Sequence, residues 1–560
     1  MIEGVKRSKR VAAAVLLLPI LVASGGAASA ATYHVAPSGN DSAAGTAAAP
    51  WRTLQKATSS FAPSDIVIVH AGTYTGEMKV SRNGPVTFRA QGGPVTIDGR
   101  ERITGFQLSS CAGSNDCFST EYTGSGQVLW VDGVRCDVID WGEVSAGCGS
   151  PSAPHKCIDT PGQCWVDTSG NRAWVKLPPG SGPAEHEILV PSARHGIFIQ
   201  EADDITIDGI NVIGTVNHGF QAFGPLSGAV YRNATVTQTG YRNRNSTGFA
   251  GRGVNVSGSG NDTSFHATNV LVQNVTAVDV GRSGFTWGNG VTDSVFDGCI
   301  ARDNRYHNGF DILSSADMVA PRNARNVIRN SASYRNGLGI LLQGCRECVV
   351  ANNDIHDNAG GGILMQKTPG GRAGNDNRVQ QNLIYAHSTT AANGVTLVDE
   401  RDVELYNNTI HGSGAQGLAV SGNTNVDARN NIFAGNSLRA LKIYGDAGDK
   451  SQTFDYNVYS GTSGGRLAVW EGGDCERCSF TSLAEFRTRR GAEVNGFEAF
   501  PEFTDLNSHQ FSLRESSPAV DAGVDVGIPF SGPAPDIGAI ELIHASGAPD
   551  LLRVTPGFDD

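Results

Sequence analysis

Charge, aromatic residues and long apolar runs are all scarce in this 560-residue chain. Only 18 % of its residues are charged, 7 % are aromatic, and four are methionine. Beyond residue 30 no apolar stretch approaches the roughly 20 residues that a membrane-spanning helix needs. The 43 Lys and Arg are outnumbered by 55 Asp and Glu, a net of −12, and they form no basic stripe, which excludes a nucleic-acid surface. Apolar residues make up 39 %, too many for a disordered chain, and no Gly-x-y period points to collagen. Glycine is what abounds, with 71 copies. An interior helical Gly costs about 1 kcal/mol against Ala, so long helices are excluded. With many Asn, Thr, Ser and Val, the composition reads as all-β, made of short strands and tight turns.

The N-terminus has its own logic. Lys6, Arg7, Lys9 and Arg10 precede an apolar run from Val11 to Ala23, and Ala28-Ser29-Ala30 follows. This order predicts a secretory signal peptide over 1–30, cut before Ala31. The run is too short for a membrane anchor. Removal of this leader, with Glu3 its one acid, leaves a mature chain of net −15. An acidic surface repels polyuronates unless local basic residues or a divalent cation bridge the two.

Cysteine usage agrees with export. Cys111, Cys117, Cys136, Cys148, Cys157 and Cys164 cluster where three disulfides fit, with connectivity open. Cys345/Cys348 and Cys475/Cys478 are C-x-x-C pairs; without His at ligand spacing they read as local disulfides rather than zinc sites. Cys299 remains, as a buried thiol.

One phrase, a Gly followed by alternating apolar residues, repeats from about 190 to 460. It recurs at Gly196, Gly219, Gly253, Gly284, Gly309, Gly339, Gly362, Gly394 and Gly417. The shortest spacing is 23 residues and, from Gly253 onward, insertions reach nine, a solenoid signature. Asn330, Asn353, Asn382, Asn408 and Asn431 mark a second register, each before a short apolar strand, where stacked Asn side chains satisfy turn backbone groups. A 23-residue rung suits three short strands and three turns, hence a parallel β-helix. The glycines are expected where the chain needs a tight corner. The predicted organisation is a cap and first rungs over 31–102, a small antiparallel disulfide-braced insertion over 103–190 and a central coil over 191–460. C-terminal rungs and a cap follow over 461–545, with a short helix near 482–490 and a tail over 546–560.

The opening Ala31-Thr-Tyr-His-Val-Ala-Pro-Ser-Gly-Asn-Asp-Ser, with Pro50-Trp51-Arg-Thr-Leu-Gln-Lys56-Ala and Asp65-Ile-Val-Ile-Val-His-Ala-Gly72-Thr-Tyr74, resembles exported right-handed β-helix carbohydrate-active proteins of the pectate-lyase-like superfamily. Ser516-Ser-Pro-Ala-Val-Asp-Ala-Gly and Pro535-Asp-Ile-Gly-Ala-Ile-Glu541 look like the last rungs of the same group. The resemblance spans nearly the whole mature chain and implies the right-handed fold; it does not imply one chemistry, because lyases and glycosidases share this opening. Its implied partner is an extracellular polysaccharide, met by a secreted monomer.

Side chains alternate along a strand, so the third and fifth residues of each phrase face outward. The third reads Asn255, Thr286, Asp311, Leu341, Leu364, Thr396; the fifth includes Gln343 and Gln366. Loops after the phrase, at 258–268, 314–325 and 367–377, share one turn and carry Asp262, His266, Asp317, Lys367, Arg372 and Asp376. Substrate contacts are therefore expected from Arg372, Gln343, Gln366, Asn255 and His266. His307-Asn308-Gly309-Phe310-Asp311 is similar to the D-D-G-x-D segment of calcium-dependent polysaccharide lyases of family nine. That resemblance implies calcium at Asp311 and a lysine base one rung on. Only Asp311 keeps its carboxylate, however, and the lysine position is Leu341, so an intact site of that kind is absent. Lys367 could substitute as base, with His307 as acid or base near neutral pH. For hydrolysis a usable carboxyl pair would come from Asp399 or Glu400 together with Asp376 on the adjoining loop. The sequence thus favours uronate elimination slightly over hydrolysis, with a non-catalytic polysaccharide-binding module as the third reading.

Overall fold

The computed structural model describes residues 30–112, 114–138, 154–240, 251–258, 266–304, 307–314, 322–387, 389–422, 424–445, 452–461, 465–472 and 475–543. The leader, apart from Ala30, and the tail lie outside the described residues, as do Asp262 and Asp317. Among the described residues no helix is long and apolar enough to cross a membrane.

Each rung holds three short strands. In one rung Val295–Asp297 and Ile300–Arg302 belong to one long sheet and Asn308–Leu313 to a second. The next rung stacks on it in parallel register, Val327 on Val295, Ala332 on Ile300 and Ile340 on Phe310. The second sheet, called the site face below, runs from Met78–Val80 to Cys475–Phe480, and its last pair is an antiparallel hairpin. Alternation holds as read: Phe310 and Ile312 are fully buried in the coil. Inside, Phe285 stacks on Phe310 at 4.8 Å between centroids and Trp287 on Phe296 at 3.7 Å. The helix Leu54–Ser60, N-capped by Thr53, closes the first end; the helix Leu483–Arg490, N-capped by Ser482, flanks the last.

The repeating glycines have a different cause from the one expected. The phrase glycines lack positive φ, so no left-handed corner requires them. A Cβ on Gly253 would lie 2.6 Å from the Gly284 carbonyl oxygen and 2.9 Å from the Ala277 methyl. Close approach between rungs selects glycine there. The asparagine register also shifts at one end. Asn353, Asn382, Asn408, Asn431 and Asn457 form the buried ladder, each side-chain oxygen accepting the backbone N–H of the preceding ladder residue. Asn330 instead adopts φ 51 and donates to Asp297, and Ser331 takes its place in the ladder.

The insertion forms a five-stranded and a four-stranded sheet, mostly antiparallel. Ile188–Pro191 still pairs antiparallel within it, so the coil resumes at Ile197 rather than at 191. The insertion docks on the coil through Trp130 Nε1 to Gln238 at 2.7 Å and the Arg135–Asp279 ion pair at 2.7 Å. Disulfides join Cys111–Cys117, Cys136–Cys164 and Cys345–Cys348. Cys157 and Cys478 are also disulfide-bonded, whereas Cys148 and the Cys475 side chain lie outside the described residues. Cys299 is a free buried thiol, its pKa pushed up to about 12 by burial.

The C-terminal segment departs from the expected stack of rungs. After Phe497–Glu498 the chain adds no further parallel rung and doubles back along the coil. Phe503, Phe511, Ala519 and Ile537 pack on Leu383, Tyr385 and Ile432, and Asn407 donates to the Asp536 carbonyl at 2.9 Å. Burying these apolar side chains on an outer sheet face accounts for the reversal.

Candidate functional site

Parallel register turns single residues into columns. On the site face one outward column reads Phe198, Gln221, Asn255, Thr286, Asp311, Leu341, Leu364, Thr396. Rungs lie about 4.8 Å apart, so neighbouring members touch. The residue just before each phrase glycine supplies a second column beside it: His195, His218, Arg252, Ser283 and Asn308. Together the lower rungs carry a two-column polar strip.

The strip is tightly bonded and deeply set. Asp311 is 1 % exposed although it faces away from the coil interior. Its carboxylate accepts from the Ser283 hydroxyl and, at 2.5 Å, from the Asn308 amide. Asn255 donates to Gln221 at 2.7 Å. The Arg252 backbone N–H donates to His218 Nδ1 at 2.9 Å, which fixes that ring as the Nε2–H tautomer. The rings of His195 and His218 stack at 5.3 Å. Burial depresses the His218 pKa well below the ordinary value, helped by Arg252, and brings His195 down to about 4. His307 is lowered by burial and by Arg282, with Asp311 opposing. All three imidazoles are therefore neutral at pH 7, and the lone pair of His218 is already taken by the Arg252 N–H. Burial, then Arg282, lowers Arg252 to about 10, which still leaves it cationic. Three buried polar atoms of the strip lack a hydrogen-bond partner: His195 Nδ1, Arg252 Nε and Thr286 Oγ1. Buried polar atoms without partners are costly, and a bound sugar's hydroxyls would satisfy them.

Some of the residues singled out from sequence meet here and others do not. Asp311, His307 and Asn255 belong to the strip. Lys367 lies two rungs up and three residues along from Asp311, about 14 Å away, and about 25 Å from His307, by rung spacing and strand rise. It is paired with Asp399 on the adjoining rung at 2.6 Å. Lys367 therefore does not share a site with His307 and Asp311. Glu400 is 1 % exposed and accepts from the Gly374 N–H and Asn377, so it serves the turn rather than pairing with Asp376 at a scissile bond. Gln343 and Gln366 are half-buried register neighbours at the far end of their strands. Arg372 is buried in the turn that follows, and His266 is exposed before Ala267–Thr268, off the strip. The sequence reading missed His195, His218, Arg252, Ser283 and Gln221. The signal was available: the residue preceding each repeating glycine is polar on five consecutive rungs.

Calcium does not fit Asp311. Both carboxylate oxygens already accept hydrogen bonds, one from an amide, whereas calcium requires six to eight oxygen ligands. Among the described residues no group of three His, Cys, Asp or Glu is arranged to hold a metal.

Residues 319–481 match the family described as "Right handed beta helix region", and residues 37–113 match "Protein of unknown function (DUF1565)". No curated protein sequence matches the chain. Among solved structures the chain is similar to a "Glycoside hydrolase" at 14 % identity and TM-score 0.50, covering 77 % of this chain and 96 % of that one. It is also similar to pectate lyase Pel9A, at 16 % identity and TM-score 0.44, covering 91 % and 96 %. A third is the Azotobacter vinelandii mannuronan C-5 epimerase AlgE4 A-module, at 12 % identity and TM-score 0.40, covering 78 % and 88 %. At such identities the likeness concerns the coil and not the reaction. The chain is a right-handed parallel β-helix protein.

Proposed function

We propose that this protein is a carbohydrate-active enzyme that acts outside the cell and cleaves a uronate-containing polysaccharide by β-elimination at the polar strip. The observation that carries the reading is the meeting of neutral His307, cationic Arg252 and Arg282, and one buried carboxylate, Asp311. Elimination needs a base for the C5 proton and positive charge beside the uronate carboxylate, which makes that proton more acidic. His307 takes the proton, and the Asp311 charge stabilises the imidazolium that forms. The C5 electron pair forms the C4–C5 double bond, the C4–O4 bond breaks, and the departing oxygen takes a proton from water. Arg252 and Arg282, which have no ion pair among the described residues, hold the carboxylate. Gln221, Asn255 and Thr286 meet sugar hydroxyls. Hydrolysis would need two carboxyl groups about 5–9 Å apart. Among the described residues Asp311 is the one carboxylate acting on His307 and Arg252.

The test is incubation of the protein with a panel of polyuronates, following the ultraviolet absorbance of the unsaturated product. Signal from wild type that His307→Ala abolishes is expected. Reducing-end release without that absorbance would establish hydrolysis instead, and binding with neither signal would leave a non-catalytic module.

A further inference from the structure

At the opposite end of the site-face strands, one corner of the coil gathers arginines. The bridges Ala324 to Arg346, Arg346 to Asn375 and Asn375 to Arg401 stack these residues in register on four consecutive rungs. Arg346 and Arg401 thus sit two rungs apart, about 10 Å. Arg322 lies two residues before the first bridge, and Arg372 three before the third. The charges acting on Arg322 are those of Arg372, Arg346 and Arg401, all cations. Arg322 and Arg401 have no ion pair among the described residues, and Arg346 pairs only with its neighbour Glu347 at 3.1 Å, both side chains over 40 % exposed. Of the other described carboxylates in these turns, Asp376 and Asp402, just after two of the bridge positions, line a separate groove of about 540 Å³, Asp399 pairs with Lys367, and Glu400 accepts from Gly374 and Asn377. In a chain of net −12, Arg322 and Arg401, which have no ion pair among the described residues, stand beside further cations, at an electrostatic cost that a bound anion would relieve.

The corner is placed to share a substrate with the strip. Leu341, the register neighbour of Asp311, is followed by two strand residues before the turn that leads to Arg346, so the corner begins about 10 Å beyond it. Gln343 and Gln366, the last outward residues of that strand and the next, stand between. We propose that Arg322, Arg346 and Arg401 form a distal anionic subsite, which binds the carboxylate of a uronate residue several sugars away from the bond being cleaved. This rests on the uronate reading of the strip and adds a length requirement: only a polymer long enough to cross the face engages both places.

The experiment uses the full chain and two double variants, Arg322→Ala/Arg401→Ala and Arg322→Lys/Arg401→Lys. Binding of long-chain polygalacturonate and alginate, and of their disaccharides, is measured by calorimetry at low and high salt, with product absorbance followed in parallel. The alanine pair should bind the long polymers at least tenfold more weakly, from two lost charge-assisted contacts. It should bind disaccharides unchanged, and its binding should depend less on salt. The lysine pair should keep most of the affinity, which separates charge from misfolding. Equal polymer binding by wild type and the alanine pair would overturn the subsite and leave the elimination reading intact. Loss of polymer binding in the alanine pair without product from either protein would support the subsite and defeat elimination. A wild type that binds no polyuronate overturns both.

Discussion

The two halves of the site face share a backbone and differ in what they display. From His195 to Asp311 the two columns carry, apart from Phe198, His, Gln, Asn, Arg, Ser, Thr and Asp, and most are buried. From Leu338 to Thr396 the same columns read Leu338 and Leu341, Gly361 and Leu364, then Asn393 and Thr396, with all but Gly361 half-buried. The interior follows suit: the lower half rests on the Phe285, Phe296, Phe310 and Trp287 stack, the upper on Ile340, Ile363 and Val395. A solenoid permits this because each rung contacts mainly its neighbours, so one stretch can carry chemistry while the next carries only packing.

The largest effect should come from chemistry. His307→Ala is expected to lower turnover at least 100-fold, the usual worth of a general base, while Leu341→Ala changes it less than about threefold. Initial rates of unsaturated product formation check both, and equal losses would erase the functional contrast between the halves. The interiors come next. Phe296→Ala should cost about 3–5 kcal/mol in denaturant unfolding, and Ile363→Val in the upper half about 0.5–1.5 kcal/mol. In the ladder, Asn408→Ala leaves the buried Asn382 N–H without its acceptor and should cost about 1–3 kcal/mol. Asn330→Gly, outside the ladder and suited to the left-handed backbone there, should cost less than about 1 kcal/mol.

The smallest effects concern pH, and the halves should respond in opposite directions. In the lower half His195 is held near 4, below its unfolded value of about 6.5, so its contribution is present above 6.5 and lost as pH falls towards 4. In the upper half burial raises Glu400 to about 8. Its contribution is complete below its unfolded value of about 4.5 and lost as pH rises through about 8. Glu400→Gln should therefore gain in melting temperature over wild type between pH 6 and 8 and differ little at pH 4. A constant difference across that range would show that Glu400 does not titrate in the fold. Activity should share the lower half's direction, its acid limb lying below the ordinary histidine value because His307 is depressed.

Much of the fold was legible because a solenoid writes its period into the sequence. Gly253 to Gly417 marked the rungs, Asn353 to Asn431 marked the ladder, and the short helix before Gly491 announced itself by Ser482 and its cap. Asp311 and Asn255 followed from strand alternation, and His307 from the resemblance of its segment to the D-D-G-x-D segment of family-nine lyases. Lys367 was misplaced because proximity in sequence order along successive rungs says nothing about position along the strand. Its partner, Asp399, is a register neighbour, which emerges only after the rungs are aligned.

By itself the sequence determined the coil, its period, the inward and outward sets, and the clustered cysteines, since each depends on local periodicity and residue chemistry. Tertiary structure decided the rest. It showed that the phrase glycines answer to the carbonyl of the next rung, that the C-terminal segment runs back along an outer face, and that Glu400 belongs to a turn. It also assembled His195, His218, Arg252, Ser283 and Asp311 into one strip. These residues come from five different rungs, and only stacking at about 4.8 Å brings their side chains into contact.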